Sequence, residues 1–202
     1  MKVLHVDASI LGESSVSRQL SAAIVERLRR AHPDAAVTYY DLGARPIGHL
    51  TGAHLAATRG AFAESASVQE DVARGQQALE DFLGADVVVV GAPMYNFSVS
   101  SQLKAWIDRL AVAGKTFRYT ANGVQGLAGG KKILVASSRG GFYGPDAPTA
   151  FLDHQETYLR GIFGFFGVTD ITFVRAEGLN VSAEQRQASI AAATAEAARL
   201  AA

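Results

Sequence analysis

An aromatic loop, residues 92–98, places amide and ring groups directly after the apolar run of residues 86–91. The loop reads Ala-Pro-Met-Tyr-Asn-Phe-Ser and offers backbone N–H groups, the Asn96 amide and the rings of Tyr95 and Phe97. Ligands of open α/β sheets bind outside the carboxyl ends of the strands. The aromatic loop therefore suits the binding of a flat heterocycle.

A serine loop, residues 8–18, follows the first apolar run of the chain and ends where a helical pattern begins. Free N–H groups and the helix dipole favour a phosphate at such a helix start. The hydroxyls of Ser9, Ser15 and Ser17 add donors without formal positive charge. The alternative is that these serines only cap the helix, and this loop by itself leaves both interpretations open.

A glycine loop, residues 137–145, follows a third apolar run and should reach the same edge of the sheet. Gly140 and Gly141 allow a close approach of the backbone to a ligand, or a positive φ. Arg139 could pair with an anion or stack on a ring. An arginine in an exposed loop is also commonly a solvated or ion-paired surface group, so both roles stay open for it.

Several alternative chemistries lack their sequence signals. A dinucleotide-binding Gly-x-Gly-x-x-Gly is missing after the first strand, where only Gly12 lies. The run Gly129-Gly130-Lys131-Lys132 precedes a strand and lacks the spacing of a P-loop, so we interpret it as a turn. Cysteine is absent, which removes disulfides, thiolate metal sites and cysteine nucleophiles.

The composition predicts one domain. The chain has 202 residues, of which 49% are hydrophobic, enough for a sheet covered on both faces. Lys plus Arg and Asp plus Glu each number 19, so the formal net charge is zero and neither nucleic acid nor a membrane is an expected partner. No apolar run approaches the length of a membrane span. We expect a soluble, cytoplasmic protein.

Short β-branched runs alternate with longer segments of helical period, which predicts βαβ units and a parallel sheet. Five strands are predicted, at residues 2–7, 36–41, 86–91, 131–138 and 170–176. Long connections, which parallel pairing requires, separate them. Residues 42–64 and 114–130 are long enough to be functional excursions, and Asn122-Gly123 predicts a hairpin in the second.

Capping patterns predict where helices begin. Ser67-x-x-Glu70 opens one helix and Ser182-x-x-Gln185 the last one. Ser100 or Ser101 caps the helix that follows the aromatic loop. Apolar faces recur at Leu20, Ile24, Val25 and Leu28 in the first helix and at Phe151, Tyr158, Leu159 and Ile162 in a later one.

Taken together, these loops resemble the FMN-dependent NADH-azoreductases, a flavodoxin-like family that also acts as quinone reductases. The resemblance spans most of the chain. Its matching stretches are residues 9–11, 15–20, 92–97, 116–120, 138–141 and 167–170. It implies a doubly wound, five-stranded parallel sheet in the order 2-1-3-4-5, with helices on both faces, and a single FMN-binding domain over residues 1–202.

The resemblance also implies site residues. The FMN phosphate is expected at Ser9, Ser15, Val16 and Ser17, with Val16 contributing only its backbone N–H. The isoalloxazine is expected against two further groups of residues. These are Met94, Tyr95, Asn96 and Phe97 on one side and Ser138, Arg139, Gly140 and Gly141 on the other. Family members are homodimers with shared sites, so Phe97 and Tyr119 are expected in the substrate pocket, with Tyr119 reaching the partner's flavin.

The leading hypothesis is that FMN takes hydride at N5 from NADH or NADPH and reduces a quinone or azo compound in a ping-pong cycle. No side chain is assigned as catalytic, because the flavin carries the hydride. The backbone of Asn96, Phe97, Gly140 and Gly141 supplies the candidate donors near N1 and the C2 carbonyl. His5 lies in a predicted buried strand and is interpreted as a core residue.

Two other functions are weighed against this one. A flavodoxin-like electron carrier shares the architecture, but a net charge of zero gives no sign of the single-sign field that docking on redox partners favours. A hydrolase using Asp7 or Ser9 lacks identifiable histidine and acid partners and metal-ligand spacing.

Overall fold

A central sheet of five parallel strands organises the computed structural model, which describes residues 1–57, 60 and 65–200. The strands of the described residues are β1 (Lys2–Asp7), β2 (Ala36–Asp41), β3 (Val87–Pro93), β4 (Phe117–Thr120), β5 (Gly123–Gly126), β6 (Lys132–Ser138) and β7 (Asp170–Ala176). The sheet order is β2-β1-β3-β6-β7, while β4 and β5 form an antiparallel hairpin. Counted within the sheet alone, this is the 2-1-3-4-5 order that the resemblance implies.

Helices cover both faces of this sheet. The helices of the described residues are α1 (Val16–Ala31), α2 (Gly52–Ala57), α3 (Ala66–Gly84), α4 (Ser101–Leu110), α5 (His154–Phe165) and α6 (Ala183–Arg199). The core on one face joins the sheet to α1 and α6, and the core on the other face joins it to α3, α4 and α5. The parallel connections account for this, because each crossover returns the chain over one face of the sheet.

The strand β3 shows why its sequence is a continuous apolar run. Val88 and Val90 pack into the core under α3, α4 and α5, whereas Val87 and Val89 pack into the core under α1 and α6. Successive side chains of a strand point to opposite faces, so a strand covered on both faces needs apolar residues throughout. The strand runs past the predicted end at Gly91 to Pro93, which pairs with Ser138 of β6.

Helix caps fit the sequence patterns with one correction. Ser100 caps α4 and Ser182 caps α6, each accepting a hydrogen bond from the N–H three residues later. The cap of α3, however, is Ser65, whose hydroxyl accepts from Val68 N–H, so the prediction that Ser67 opens this helix was wrong. The cap thus lies two residues earlier than predicted, and the helix begins at Ala66. A Ser-x-x-Glu pattern alone does not reveal this earlier start.

The connections differ from the sequence predictions in one respect and agree in another. Phe151 lies in a short 3-10 helix (Ala150–Leu152) and is 75% exposed, so it is not part of the apolar face of α5. The predicted hairpin around Asn122-Gly123 is confirmed as β4 and β5. The excursion at residues 42–64 contains α2, and its residues 58, 59 and 61–64 lie outside the described part.

Among the described helices, none has the length and apolarity to cross a membrane.

Candidate functional site

The serine, aromatic and glycine loops meet at the carboxyl edge of the sheet. The hydroxyls of Ser9 and Tyr95 lie 3.3 Å apart, which joins the serine loop to the aromatic loop. The N–H of Met94 donates to the carbonyl of Ser138 over 2.9 Å, which joins the aromatic loop to the glycine loop. Because β1, β3 and β6 are adjacent and parallel, their carboxyl ends must converge in this way.

Buried hydroxyls organise the serine loop. Ser9, Ser15 and Ser17 are each at most 1% exposed. Ser15 caps α1, because its hydroxyl accepts from Arg18 N–H, and it lies 3.1 Å from the Ser17 hydroxyl. Ser9 accepts from Leu11 N–H over 3.2 Å. Capping therefore explains Ser15 alone, and leaves Ser9 and Ser17 as buried hydroxyls that cap no helix.

The first turn of α1 contributes free donors. The N–H groups of Val16 and Ser17 donate no hydrogen bond to any described residue. The first N–H groups of a helix have no partner within the helix, and they point along its axis with the positive end of its dipole. With the serine hydroxyls beside them, they form an arrangement that can hold a phosphate dianion.

A tight turn presents the aromatic loop. Tyr95 and Ser98 exchange two backbone hydrogen bonds, of 3.0 and 3.1 Å. Between them, Asn96 and Phe97 have φ values of 47° and 71°, in the left-handed region. Neither of their N–H groups donates to another described residue. Phe97 keeps 39% of its surface exposed.

In the glycine loop, the carbonyls of the two glycines have hydrogen-bond partners but their N–H groups have none among the described residues. The carbonyls of Gly140 and Gly141 accept from Asn180 N–H and Gly178 N–H, over 3.0 and 2.9 Å. Their own N–H groups have no acceptor among the described residues. Neither glycine has a positive φ. A Cβ on Gly140 would lie 2.7 Å from the Asn180 side-chain nitrogen, so a larger residue there would have to displace that side chain.

Arg139 departs from both sequence interpretations. It is neither a surface group nor a ligand contact, because its side chain is 0% exposed. The guanidinium pairs with Asp153 at 2.9 Å, Glu156 at 2.5 Å and Glu177 at 3.2 Å. The side chain of Arg139 is therefore held by carboxylates inside the protein, and its assignment to the cofactor site stays a prediction for its backbone.

Sequence reasoning missed Arg18. Its guanidinium donates to the Asp41 carboxylate over 2.5 and 2.8 Å and to the Ser9 carbonyl over 2.8 Å. The hydrogen bond to Asp41 raises the pKa of Arg18, and the same bond lowers the pKa of Asp41. The available signal was a basic residue in the first turn of a helix beside an acid at the end of the neighbouring strand.

A buried polar cluster lies beneath the serine loop. The Asp7 carboxylate is 3% exposed and accepts from Ser21 Oγ over 2.7 Å and from Tyr39 Oη over 3.1 Å. His5 is also buried, with Nε2 3.0 Å from Ser21 Oγ, which confirms it as a core residue. The hydrogen-bond partners of the Ser9 side chain include no histidine among the described residues, so the arrangement lacks the base that a serine nucleophile needs.

The aromatic residues assigned to a substrate pocket lie apart in one chain. Phe97 contacts Tyr143 edge to face, with ring centroids 5.9 Å apart. Tyr119 lies on the β4–β5 hairpin, is 75% exposed and has its ring centroid 5.6 Å from that of Phe117. The described contacts do not bring Tyr119 to the three loops within this chain.

The rim where the three loops meet borders a cavity of about 240 Å³, which is lined in part by Tyr143, Gly144 and Pro145 of the glycine loop. A cavity of about 390 Å³ lies between α2, α3 and α4, and its walls include His54, Leu79 and Arg109 but no residue of the three loops. Within the described part of the chain, no group of three or more His, Cys, Asp or Glu side chains could hold a metal ion. The rim is distinguished by its uncharged donors.

The chain is similar to known proteins over nearly its full length. Residues 1–201 match the family model described as flavodoxin-like fold. An FMN-dependent NADH:quinone oxidoreductase of Rhizobium meliloti (strain 1021) is 61% identical over 193 residues, which are 96% of this chain and 93% of that protein.

Two solved structures are also similar. An azoreductase from Bacillus anthracis str. Sterne is 34% identical, with a TM-score of 0.86 over 98% of this chain and 97% of that one. An FMN-dependent NADH-azoreductase from Bacillus anthracis str. Ames Ancestor, solved in complex with FMN, is 27% identical, with a TM-score of 0.85 over 100% and 99%.

Proposed function

Because the chain belongs to the flavodoxin-like family of FMN-dependent NADH:quinone oxidoreductases and azoreductases, we propose that it is an FMN-dependent oxidoreductase that uses NADH to reduce quinones and azo compounds. When bound, FMN supplies the chemistry by accepting hydride from the nicotinamide and passing two electrons to the acceptor in a ping-pong cycle. The protein binds the flavin and orients it. One observation carries the assignment of its site: in the three loops at one edge of the sheet, certain N–H groups donate to no described residue, among them those of Val16, Ser17, Asn96, Phe97, Gly140 and Gly141.

The serine loop would hold the phosphate. The N–H groups of Val16 and Ser17, with the hydroxyls of Ser9, Ser15 and Ser17, offer donors at the start of α1. Phosphate accepts several hydrogen bonds, and buried donors without a partner carry a cost that such an anion removes. Arg18 fixes the Ser9 carbonyl through a hydrogen bond of 2.8 Å.

The aromatic and glycine loops would hold the ring. The N–H groups of Asn96, Phe97, Gly140 and Gly141 are the donors available to its nitrogen and carbonyl edge, where negative charge builds on reduction. Met94, Tyr95 and Ser138 would complete the contact surface. Backbone donors fixed by the fold need no reorganisation when that charge appears, so they favour the reduced state of the ring.

The proposal extends to assembly and location. The chain forms one FMN-binding domain and works as a homodimer in which Tyr119 of one subunit approaches the flavin of the other. The exposure of Tyr119 on its hairpin supports this, since a 75% exposed tyrosine with one ring neighbour is suited to an interface. We propose that the enzyme works in the cytoplasm, and its lack of cysteine is compatible with a reducing compartment.

The test begins with the absorption spectrum of freshly purified protein. We expect a yellow protein that bleaches when NADH is added without oxygen and recovers its colour when a quinone is supplied. A colourless protein that cannot be reconstituted with FMN would refute the proposal. Flavin that stays oxidised with NADH but accepts electrons from an added reductase would identify an electron carrier instead. A parallel titration with NADPH measures the preference for the donor.

A further inference from the structure

Arg139 is a buried cation placed immediately before the two glycines of the glycine loop. Its guanidinium reaches three carboxylates, those of Asp153, Glu156 and Glu177. Its Nε donates to the Ser137 hydroxyl over 2.9 Å. A planar guanidinium offers five donors in a fixed fork, so it can engage several groups from different directions at once.

The three carboxylates belong to elements that frame the glycine loop. Asp153 caps α5, accepting from the N–H groups of Gln155 and Glu156 over 3.1 and 3.0 Å. Glu177 follows β7 and also accepts from Tyr143 N–H over 2.9 Å. Arg139 therefore ties the start of α5 and the end of β7 to the loop between β6 and α5.

A second chain of contacts runs from Arg139 to the aromatic loop. The Ser137 hydroxyl, which accepts from Arg139, donates to the Gln155 side-chain oxygen over 2.7 Å. The Gln155 side-chain nitrogen donates to the Ala92 carbonyl over 3.2 Å. Ser137 and Gln155 are both 0% exposed, so this connection is shielded from water. The glycine and aromatic loops are thus held in one buried polar network.

We propose that Arg139 is a positioning residue that orients the Gly140 and Gly141 N–H groups toward the flavin without touching it; this inference rests on the proposed function. The backbone of Arg139 is also fixed, since its N–H donates to the Ala176 carbonyl and its own carbonyl accepts from Leu179 N–H. Donors held at a fixed direction stabilise developing negative charge more than mobile ones do. Arg139 thereby favours the reduced form of the flavin.

The test compares Arg139→Lys and Arg139→Gln with the wild type. For each protein, the affinity of the apo-protein for FMN, the reduction potential of the bound flavin and the melting temperature of the apo-protein are measured. Lysine keeps the charge but not the fork. We expect it to lower the affinity for reduced FMN about tenfold more than that for oxidised FMN, which equals a two-electron potential lower by about 30 mV. Glutamine should lower the potential at least as far.

Arg175→Gln is the matched control. Arg175 hydrogen-bonds the same Glu156 carboxylate, over 2.7 Å through its terminal nitrogen, and this bond raises the pKa of Arg175. It makes no described contact with Arg139, Gly140 or Gly141. We therefore expect Arg175→Gln to lower the melting temperature while leaving the reduction potential unchanged.

The outcomes distinguish a failure of the proposed function from a failure of the positioning role of Arg139. If the wild type does not bind FMN, the proposed function fails and the inference fails with it. If the wild type binds FMN and Arg139→Lys keeps the wild-type potential and affinities, only the positioning role is refuted. Equal shifts in Arg139→Lys and Arg175→Gln would also refute it, because general loosening of the fold would then explain both. Should Arg139→Gln fail to fold, the lysine variant decides.

Discussion

The hydroxyl of Tyr95 lies 3.3 Å from the Ser9 hydroxyl and 3.3 Å from the Ile10 N–H. The residue that begins the tight turn of the aromatic loop is thereby joined to the loop that carries the proposed phosphate donors. In the proposed site, the two ends of a bound flavin would meet parts of the protein that contact each other directly. The fold would then set the spacing between the proposed phosphate and ring sites.

Ser17→Ala tests the phosphate site. The Ser17 hydroxyl is buried and does not cap α1, so its loss should leave the helix intact. A hydrogen bond to a charged group contributes about 1.5–3 kcal/mol, so we expect the FMN dissociation constant to rise by roughly tenfold or more. Riboflavin, which has no phosphate, should bind the variant and the wild type equally in a fluorescence titration.

Ser182→Ala serves as the control for that variant. Ser182 caps α6, so its removal should lower the free energy of unfolding by about 1 kcal/mol without changing FMN affinity. If Ser17→Ala weakened riboflavin as much as FMN, the hydroxyl would not be a phosphate ligand.

Asn96→Val tests the turn of the aromatic loop. Asn96 has a φ of 47°, which costs a β-branched residue about 1–2 kcal/mol. We expect urea denaturation of the apo-protein to show a loss of that size. Asn96→Gly accepts the same backbone conformation and keeps the N–H group, so it should retain both stability and FMN binding. Equal stability of the two variants would contradict the positive φ.

Asp41→Asn tests the support behind the serine loop. The hydrogen bond from Arg18 lowers the pKa of Asp41, so the charged pair stabilises the fold above the ordinary carboxylate pKa of about 4. This contribution is lost as the pH falls below that value toward the lowered pKa of the folded state. We expect the variant to be less stable by about 1–2 kcal/mol at neutral pH, with the difference shrinking below about pH 4.

Asp108→Asn controls for the loss of a carboxylate. Asp108 pairs with Lys104 one helical turn away, and the lysine side chain is 48% exposed. Such a surface pair contributes about 0.5 kcal/mol or less, so urea unfolding should detect little change at any pH. A difference between Asp41→Asn and the wild type that persisted undiminished in acid would argue against the Arg18 pair.

Tyr119→Ala tests the shared site. The side chain is largely exposed, so the stability of the variant should stay within about 0.5 kcal/mol of the wild type. We expect steady-state kinetics to show a higher KM for quinones, because the aromatic ring of Tyr119 would no longer be there to contact the quinone in the proposed pocket. Tyr119→Phe keeps the aromatic ring and should restore the KM. An unchanged KM for every quinone in Tyr119→Ala would place the tyrosine outside the site.

The strands were predictable because their apolar runs are continuous and bounded. β1, β2 and β7 have the predicted limits, and the sheet order is the one that the family resemblance implied. The start of α3 was less predictable. Ser65 and Ser67 both satisfy the chemistry of a cap, and the local sequence does not choose between them.

The environment of Arg139 could not be read from local sequence. Its partners Asp153, Glu156 and Glu177 lie 14, 17 and 38 residues further along the chain, on elements brought together by tertiary folding. Local pattern therefore favoured a surface arginine. The unpaired N–H groups of Asn96 and Gly140 were proposed as donors from sequence, since a loop at the end of a buried strand leaves backbone groups without sheet partners.

Six of the proposed cofactor donors are backbone N–H groups, so this part of the binding would not depend on side-chain identity. A substitution removes a side chain but not an amide, except where proline enters or the backbone path is blocked. Ile10, Leu11 and Phe142, which lie in these loops and are all more than 40% exposed, can therefore be replaced without the loss of any of these six donors.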